Sequence, residues 1–295
     1  MIKLLLESDK MKSKVYFTHE ISSEKLLEIY KKLGVELKGK VAVKVHSGEK
    51  GNQNYLKPLF YKDIIDYVNG TVVECNTAYD GARNTSEKHL KLLEEHEWSK
   101  YYNVDLLDKD AELELPVKEG KHLKVNYVGK NIENYDSMLV LSHFKGHPMG
   151  GFGGALKNIS IGLASSHGKA NIHGAGKPEE IWTADHDSFL ESMAEADKTI
   201  MDYEKNIVFI NVMANMSVDC DCCAVAEDPC MKDIGVLAST DPVALDQACI
   251  DLVYNSSDPG KDHLIERIES RNGIHTIEAA EKLKVGTRKY DLIEF

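Results

Sequence analysis

The sequence predicts an α/β protein with a mostly parallel sheet, flanking helices and a ligand cleft at the carboxyl ends of the strands. Short apolar runs rich in β-branched residues alternate with helical patterns along the 295 residues, which is typical of βαβ units. Unusual polar and glycine-rich segments also follow several predicted strands directly. Open α/β sheets bind ligands at that edge, so we expect these segments to line one crevice.

The individual elements follow from local pattern and from start and stop signals. Runs of β-branched and apolar residues predict strands at Lys14–Thr18, Val41–Val45, Thr71–Glu74, Glu112–Val117, His122–Val128, Met138–Ser142, Ile207–Met213, Ile234–Ala238 and Lys289–Ile293. Helical spacing after Ser, Thr, Asp or Pro predicts helices at Ser22–Leu33, Pro58–Val68, Thr85–Glu97, Ala155–Leu163, Ser188–Glu204 and Pro242–Tyr254.

We predict one α/β unit over residues 14–295. Within it, the charged stretch 108–135 is either a β-rich insertion or the seam between two lobes.

Composition excludes several classes of protein. Lys and Arg number 36 against 48 Asp and Glu, for a formal charge of −12, so we expect no nucleic acid and no anionic membrane as a partner. No apolar stretch reaches the about 20 residues of a bilayer span, and the first apolar run is short for a signal peptide. We therefore expect a cytoplasmic protein. The sequence does not indicate the oligomeric state.

The segment from His143 to Lys157 carries the densest chemical signal. Its glycines, Gly150, Gly151, Gly153 and Gly154, would let the backbone approach a cofactor closely. The following helix would point free N–H groups at an anion, and Lys157 would add a positive charge. Neither known phosphate-loop pattern fits these spacings, so the glycines either bind a cofactor or only form a tight turn.

Three histidines near this loop, His147, His167 and His173, suggest acid–base or metal chemistry. A neutral imidazole binds transition metals or transfers a proton near neutral pH. Arg83, in another of the predicted cleft segments, would help to hold an anion.

Cysteines cluster in the segment Cys220, Cys222, Cys223. The spacing is not that of a ferredoxin cluster or a paired structural zinc site. In an extended chain Cys220 and Cys222 point to the same side, so these residues either share a soft metal or are free thiols. Asp246 falls beside the apolar face of its helix, and its expected partner is either structural or catalytic.

Long motifs resemble the family called domain of unknown function 362. They are Lys44-Val-His46-Ser-Gly-Glu, Tyr79-Asp-Gly81-Ala-Arg83, the His143-Phe-Lys-Gly-His147 loop, Asp-Cys220-Asp-Cys222, and the segment from Asp233 to Cys249. Many members of that family carry an iron–sulfur ferredoxin module after the histidine matching His173. No cysteine follows His173 in the corresponding stretch here, so no cluster of that type is expected.

A more distant resemblance is to nickel-pincer lactate racemase. His147, Lys157 and His173 lie 10 and 16 residues apart, as do three functional residues of that enzyme. The resemblance implies that His147 moves a proton, Lys157 holds a cofactor and His173 binds a metal. The Asp-x-Thr-Arg signature of that family is missing.

Together these features predict a metal- or cofactor-dependent enzyme, racemase- or isomerase-like or redox, that acts on a small anionic metabolite. His147, Lys157 and Asp246 are its candidate catalytic residues. Lys157, Arg83 and the loop glycines would bind an unidentified cofactor. His173, Cys220, Cys222 and Cys223 would bind nickel, iron or zinc. The alternatives are a redox or metal-carrier protein that uses the Cys220–Cys223 segment, and a ligand-binding protein without catalysis.

Overall fold

The computed structural model describes residues 12–204 and 206–295. Its described part centres on an eight-stranded sheet in the order β12-β1-β11-β10-β7-β2-β3-β4. The strands of this sheet are β1 (Ser13–Thr18), β2 (Val41–Lys44), β3 (Thr71–Glu74), β4 (Val104–Leu106), β7 (Ser137–His143), β10 (Ile207–Met213), β11 (Gly235–Ser239) and β12 (Tyr290–Glu294).

Strand directions confirm the mostly parallel sheet. Every neighbouring pair runs parallel except the two pairs made by β11, which is antiparallel to both β1 and β10. All residues of the central strands β7 and β10 are buried. This burial explains their continuous apolar runs, because a parallel strand covered on both faces has no solvent side.

Helices cover both faces of the sheet. They are α1 (Ser23–Leu33), α2 (Lys62–Val68), α3 (Ser86–Glu95), α4 (Trp98–Tyr101), α5 (Ala155–Ser160), α6 (Ser166–His173), α7 (His186–Tyr203), α8 (Pro242–Asn255), α9 (Lys261–Ser270) and α10 (Ile274–Lys282). Alternate residues of β7 enter different cores. Leu139 and Leu141 pack in the core that contains residues of α1 to α4, whereas Met138 and Val140 pack with residues of α5 and α7 to α10.

Some element boundaries differ from the predicted ones. The helix predicted over Thr85–Glu97 ends at Glu95, and the separate helix α4 begins at Trp98, after Glu97 adopts a left-handed conformation with φ of 64°. The helix predicted over Ala155–Leu163 ends at Ser160, and α6 was not predicted. Pro58–Tyr61 forms a 3-10 turn before α2 begins.

Two small antiparallel sheets accompany the large one. Strands β5 (Glu112–Pro116) and β6 (Val125–Gly129) form the first, within the stretch 108–135. Strands β8 (Lys145–His147) and β9 (Gly151–Gly153) form the second, so the glycine-rich segment is a short hairpin. A division of the chain into lobes stays a prediction. Among the described residues, no helix is both long and apolar enough to cross a bilayer.

Candidate functional site

A cavity of about 510 Å³ lies at the carboxyl ends of four adjacent parallel strands, β10, β7, β2 and β3. Loops that follow these strands supply most of its wall. The cleft predicted for this edge of the sheet is therefore where the sequence placed it.

Most predicted site residues meet in this cavity. The lining includes Arg83, His147, Gly153, Gly154, Lys157, His173 and Cys222. Cys220 is fully buried close to Cys222 and His147. Four other predicted residues lie outside the lining, and these are Gly150, Gly151, Cys223 and Asp246.

The backbone holds His147 in one tautomer. Its Nδ1 accepts hydrogen bonds from the amides of Met149, at 3.1 Å, and Gly150, at 2.8 Å. A nitrogen that accepts two N–H groups carries no proton, so the proton of the neutral ring sits on Nε2, 3.7 Å from the Cys222 sulfur. Burial, followed by the charge of Lys157, lowers the pKa of His147 to about 3, so the ring is neutral at physiological pH.

His173 is held in the opposite tautomer. Its Nδ1 lies 2.7 Å from the carbonyl oxygen of Lys169, so Nδ1 donates its proton there and Nε2 keeps a free lone pair. The ring stacks on Phe189, and burial lowers the pKa of His173 to about 4. The cavity thus has a neutral imidazole donor, His147, and a neutral imidazole acceptor, His173. A nitrogen prepared as in His173 suits a base or a metal ligand.

Three cations of the cavity wall have carboxylate partners. Lys44 lies 2.7 Å from Glu74, the Arg83 Nε lies 3.1 Å from Glu49, and Lys145 lies 3.1 Å from Asp221. All six side chains are nearly or fully buried. Burial raises the pKa of Glu74, but the charges of Lys44 and His46 outweigh it and hold that pKa well below its ordinary value.

Two further cations line the cavity without such a partner. Within residues 12–204 and 206–295, no carboxylate lies within 4.0 Å of the Lys157 or Lys169 ammonium. Lys169 is only 7% exposed and donates to the carbonyl of Ala164 at 2.6 Å. Burial lowers the pKa of Lys169. An unpaired buried ammonium is costly, so this part of the cavity favours an anion.

The expectation that helix α5 presents free N–H groups to a ligand is wrong. The Asp246 carboxylate accepts from the amides of Ala155, at 2.8 Å, and Leu156, at 3.0 Å. A Cβ added to Gly154 would lie 2.4 Å from the Asp246 carboxylate, so glycine allows this close approach. Asp246 is the anion at the helix N-terminus. It lies outside the cavity lining, and its catalytic role stays a prediction.

The predicted metal ligands are only partly brought together. Donor atoms of His147, Cys220 and Cys222 lie within 4.8 Å of one another and form a candidate metal site. His173 and Cys223 do not belong to this group. Two thiols and an imidazole are donors that soft metal ions prefer. The donor types and the distances between them therefore fit such an ion. The amide hydrogen bonds on Nδ1 oppose ligation by His147, because they keep the proton on Nε2.

Several residues of the site were missed by sequence reasoning. Lys169 has no pattern that distinguishes it from a surface lysine. Lys44 and Glu74 did carry a signal, since each is a charged residue at the end of an apolar, β-branched strand. A charge in such a run needs a buried partner, and the two ends lie side by side in the sheet.

Comparisons with known proteins agree with the first resemblance. The family model described as domain of unknown function (DUF362) matches residues 41–251. No curated protein matches the sequence.

Two solved structures are similar to part of the chain. One is the lactate racemase apoprotein from Thermoanaerobacterium thermosaccharolyticum, at 14% identity and a TM-score of 0.40, covering 68% of this chain and 51% of that one. The other is a structural-genomics crystal structure from Thermotoga maritima, at 14% identity and a TM-score of 0.45, covering 88% and 58%. The chain spans between half and three-fifths of the length of these structures, and likeness at this level carries no argument about chemistry. The family match covers well over half of the sequence, so the chain belongs to the domain of unknown function (DUF362) family.

Proposed function

We propose that this protein is an enzyme that binds a small anionic metabolite in the cavity and transfers a proton on it, with the help of a metal ion or cofactor. The observation that carries the proposal is the placement of Lys157 and Lys169, two cations without carboxylate partners, beside the free lone pair of His173.

The histidines supply the acid–base chemistry in this proposal. The His173 Nε2 takes a proton from the bound anion, because its lone pair is unoccupied and burial keeps the ring neutral. His147 acts through its Nε2–H as a neutral hydrogen-bond donor, an arrangement known from isomerases in which a lowered pKa keeps the imidazole uncharged. Lys157 and Lys169 fix the orientation of the anion.

A metal ion at the candidate site formed by His147, Cys220 and Cys222 would be held by the two cysteines. Bound there, it would supply Lewis-acid polarisation.

Exchange of hydrogen with solvent tests the proposal. The protein is incubated in D₂O with a panel of 2-hydroxy acids, and deuterium at the carbon next to the carboxylate is measured by NMR. We expect exchange with at least one acid, and a loss of about 100-fold or more in His173→Gln, since a positioned base contributes about 10²–10⁴.

The matched control is His167→Gln. His167 lies on the same helix, is largely exposed, pairs with Glu112 and does not line the cavity, so this variant should keep full exchange. Exchange that survives His173→Gln, or a panel with no exchange at all, would reject the proposal.

Metal content gives a second, independent test. After anaerobic purification and elemental analysis, we expect Cys222→Ser to have a lower metal content than the wild type, because it loses one of the two thiolates that would hold the ion. His147→Gln should lower it less, because the imidazole is held in the wrong tautomer. Cys230→Ser is the control, since Cys230 does not belong to the candidate metal site. Equal losses in all three variants would contradict the assignment.

A second candidate function is a redox or metal-carrier protein. It is favoured by the close approach within the cysteine segment, where the Cys222 amide lies 3.4 Å from the Cys220 sulfur and a hydrogen bond from Cys222 lowers the pKa of Cys223. Anaerobically purified protein that is colourless and free of iron, zinc and nickel would remove this candidate.

A further inference from the structure

The cavity and the whole chain carry opposite charges. The chain has a formal charge of −12, yet five cationic side chains line the cavity beside a single carboxylate, that of Glu74. Buried ion pairs account for three of these cations, as described above. The charge left over within the described part of the cavity belongs to Lys157 and Lys169.

These two charges act on the same region of the cavity. Both lower the pKa of one imidazole, that of His173, so both ammonium groups lie within electrostatic reach of a single ring. The Lys169 ammonium donates one hydrogen bond to the Ala164 carbonyl. Two of its three N–H donors therefore remain for a ligand.

The acids that act on Lys169 form no ion pair with it. Asp108 and Glu74 both raise the pKa of Lys169, but the Asp108 carboxylate accepts from the amides of Asn76 and Ser166, at 3.0–3.1 Å, and Glu74 is paired with Lys44. A monoanionic ligand would therefore leave one of the two ammonium groups without an anionic partner, and for the buried Lys169 that is the costly state.

We propose that Lys157 and Lys169 together bind a dianion, carried by one small ligand as a phosphate monoester or as a dicarboxylate. This inference rests on the proposed function only in taking the ligand to be a small anion. It adds the charge of the ligand and assigns Lys169 to its recognition.

Ligands of matched shape test the charge requirement. Methyl phosphate and methyl sulfate are nearly isosteric, but at pH 8 the first is a dianion and the second a monoanion. Malonate and its monomethyl ester form the corresponding dicarboxylate pair. Calorimetry at pH 8 should show at least one dianion binding about tenfold or more tighter than its monoanionic counterpart, a difference of about 1.4 kcal/mol. The pair that shows the preference identifies which form the ligand takes.

The pH dependence gives a second arm for methyl phosphate. A phosphate monoester loses its second proton near pH 6, so its affinity should rise between pH 5 and pH 8, whereas that of methyl sulfate stays constant. Three cavity histidines do not titrate in this window, because burial lowers the pKa of His147 to about 3 and those of His46 and His173 to about 4. His143, which is paired with Asp221, also lines the cavity, and the methyl sulfate series controls for its contribution. Glu74 stays ionised throughout, since its pKa lies far below the window.

Charge-removing variants locate the binding site. Lys157→Gln and Lys169→Gln should each weaken the preferred dianion by about tenfold or more and bring it near the affinity of the monoanion. Lys198→Gln removes the same charge from a surface pair with Asp202 and should change nothing. Lys157 is partly exposed, so its variant tests the idea even if Lys169→Gln fails to fold.

The inference is overturned if neither dianion exceeds its monoanionic partner, if no probe binds, or if Lys157→Gln binds like the wild type. It can fail separately from the proposed function. Deuterium exchange with equal affinities for the two charge states would remove the dianion and keep the enzyme, whereas a dianion preference without exchange would do the reverse.

Discussion

Helix α5 touches two buried polar clusters with opposite charge balance. On one side Lys157 lines the cavity, where Glu74, Glu49 and Asp221 are each paired with a cation and two cations remain. At its N-terminus the amides of Ala155 and Leu156 meet Asp246, which lies near a second buried acid, Asp197. Surplus cations in an open cavity can be balanced by a ligand, but surplus acids in a closed core can only be balanced by protons.

The two acids manage their burial differently. Asp246 accepts from two amides and from the side chain of Asn211, at 2.7 Å, yet burial still raises its pKa to about 6. Neither carboxyl oxygen of Asp197 meets hydrogen-bond geometry with a partner within the described residues, because the nearby Ser160 hydroxyl donates to the carbonyl of Leu156. Burial, followed by the charge of Asp246, raises the pKa of Asp197 well above its ordinary value. Of the two buried acids, Asp197 therefore has the fewer hydrogen bonds to stabilise its charged form.

The largest expected effect comes from unbalancing the cavity side. Glu74→Gln leaves the buried Lys44 ammonium without its partner, and breaking a buried ion pair in this way costs about 3–5 kcal/mol. The glutamine oxygen can still accept from the amide and hydroxyl of Ser47. The loss of stability therefore measures the removal of the negative charge and not the loss of these hydrogen bonds. Urea denaturation at pH 7 measures it.

A surface pair provides the control for this variant. Lys62 and Asp66 form an exposed ion pair one helical turn apart, and such pairs contribute about 0.3–0.5 kcal/mol. Asp66→Asn should therefore change the free energy of unfolding far less than Glu74→Gln. Similar losses in the two variants would mean that the cavity pairs are not a buried charge network.

Much of the fold could be predicted from local sequence, because each central strand is covered on both faces. The predicted strand Ile207–Met213 has the bounds of β10, and the predicted strand Met138–Ser142 is one residue shorter than β7 at each end. Helix ends were less predictable where a backbone conformation decided them. The left-handed Glu97 that divides α3 from α4 is one such case, since nothing in its side chain favours that conformation.

The candidate site was predictable in its location but not in its details. Residues that follow neighbouring parallel strands must meet at one edge, which places His147, Lys157 and Cys222 together. The tautomers of His147 and His173 depend on which backbone groups face each ring, and sequence spacing holds no such information. The same is true of Asp246, whose contact with the start of α5 joins segments 90 residues apart.

The smallest expected effect is a gain in stability, and it tests the cluster of buried acids at the N-terminus of α5. Ionisation of Asp197 is favourable in the unfolded chain, where its pKa is about 3.9, but not in the folded protein. The contribution of Asp197 to stability is therefore most favourable below that pH and falls as pH rises toward the folded pKa, with a limiting slope of about 1.4 kcal/mol per pH unit. Asp197→Asn removes this loss.

We expect Asp197→Asn to stabilise the protein by about 2 kcal/mol at pH 7, since the buried amide offsets part of the gain by leaving its own N–H groups unpaired. The gain should be larger at pH 8 than at pH 5 in urea denaturation. Asp202→Asn, at the exposed end of the same helix α7, should stay within about 0.5 kcal/mol of wild type at both pH values. A destabilised Asp197→Asn would show that this carboxyl has a partner in the core. The buried charges on both sides of α5 would then be stabilised by partners within the protein.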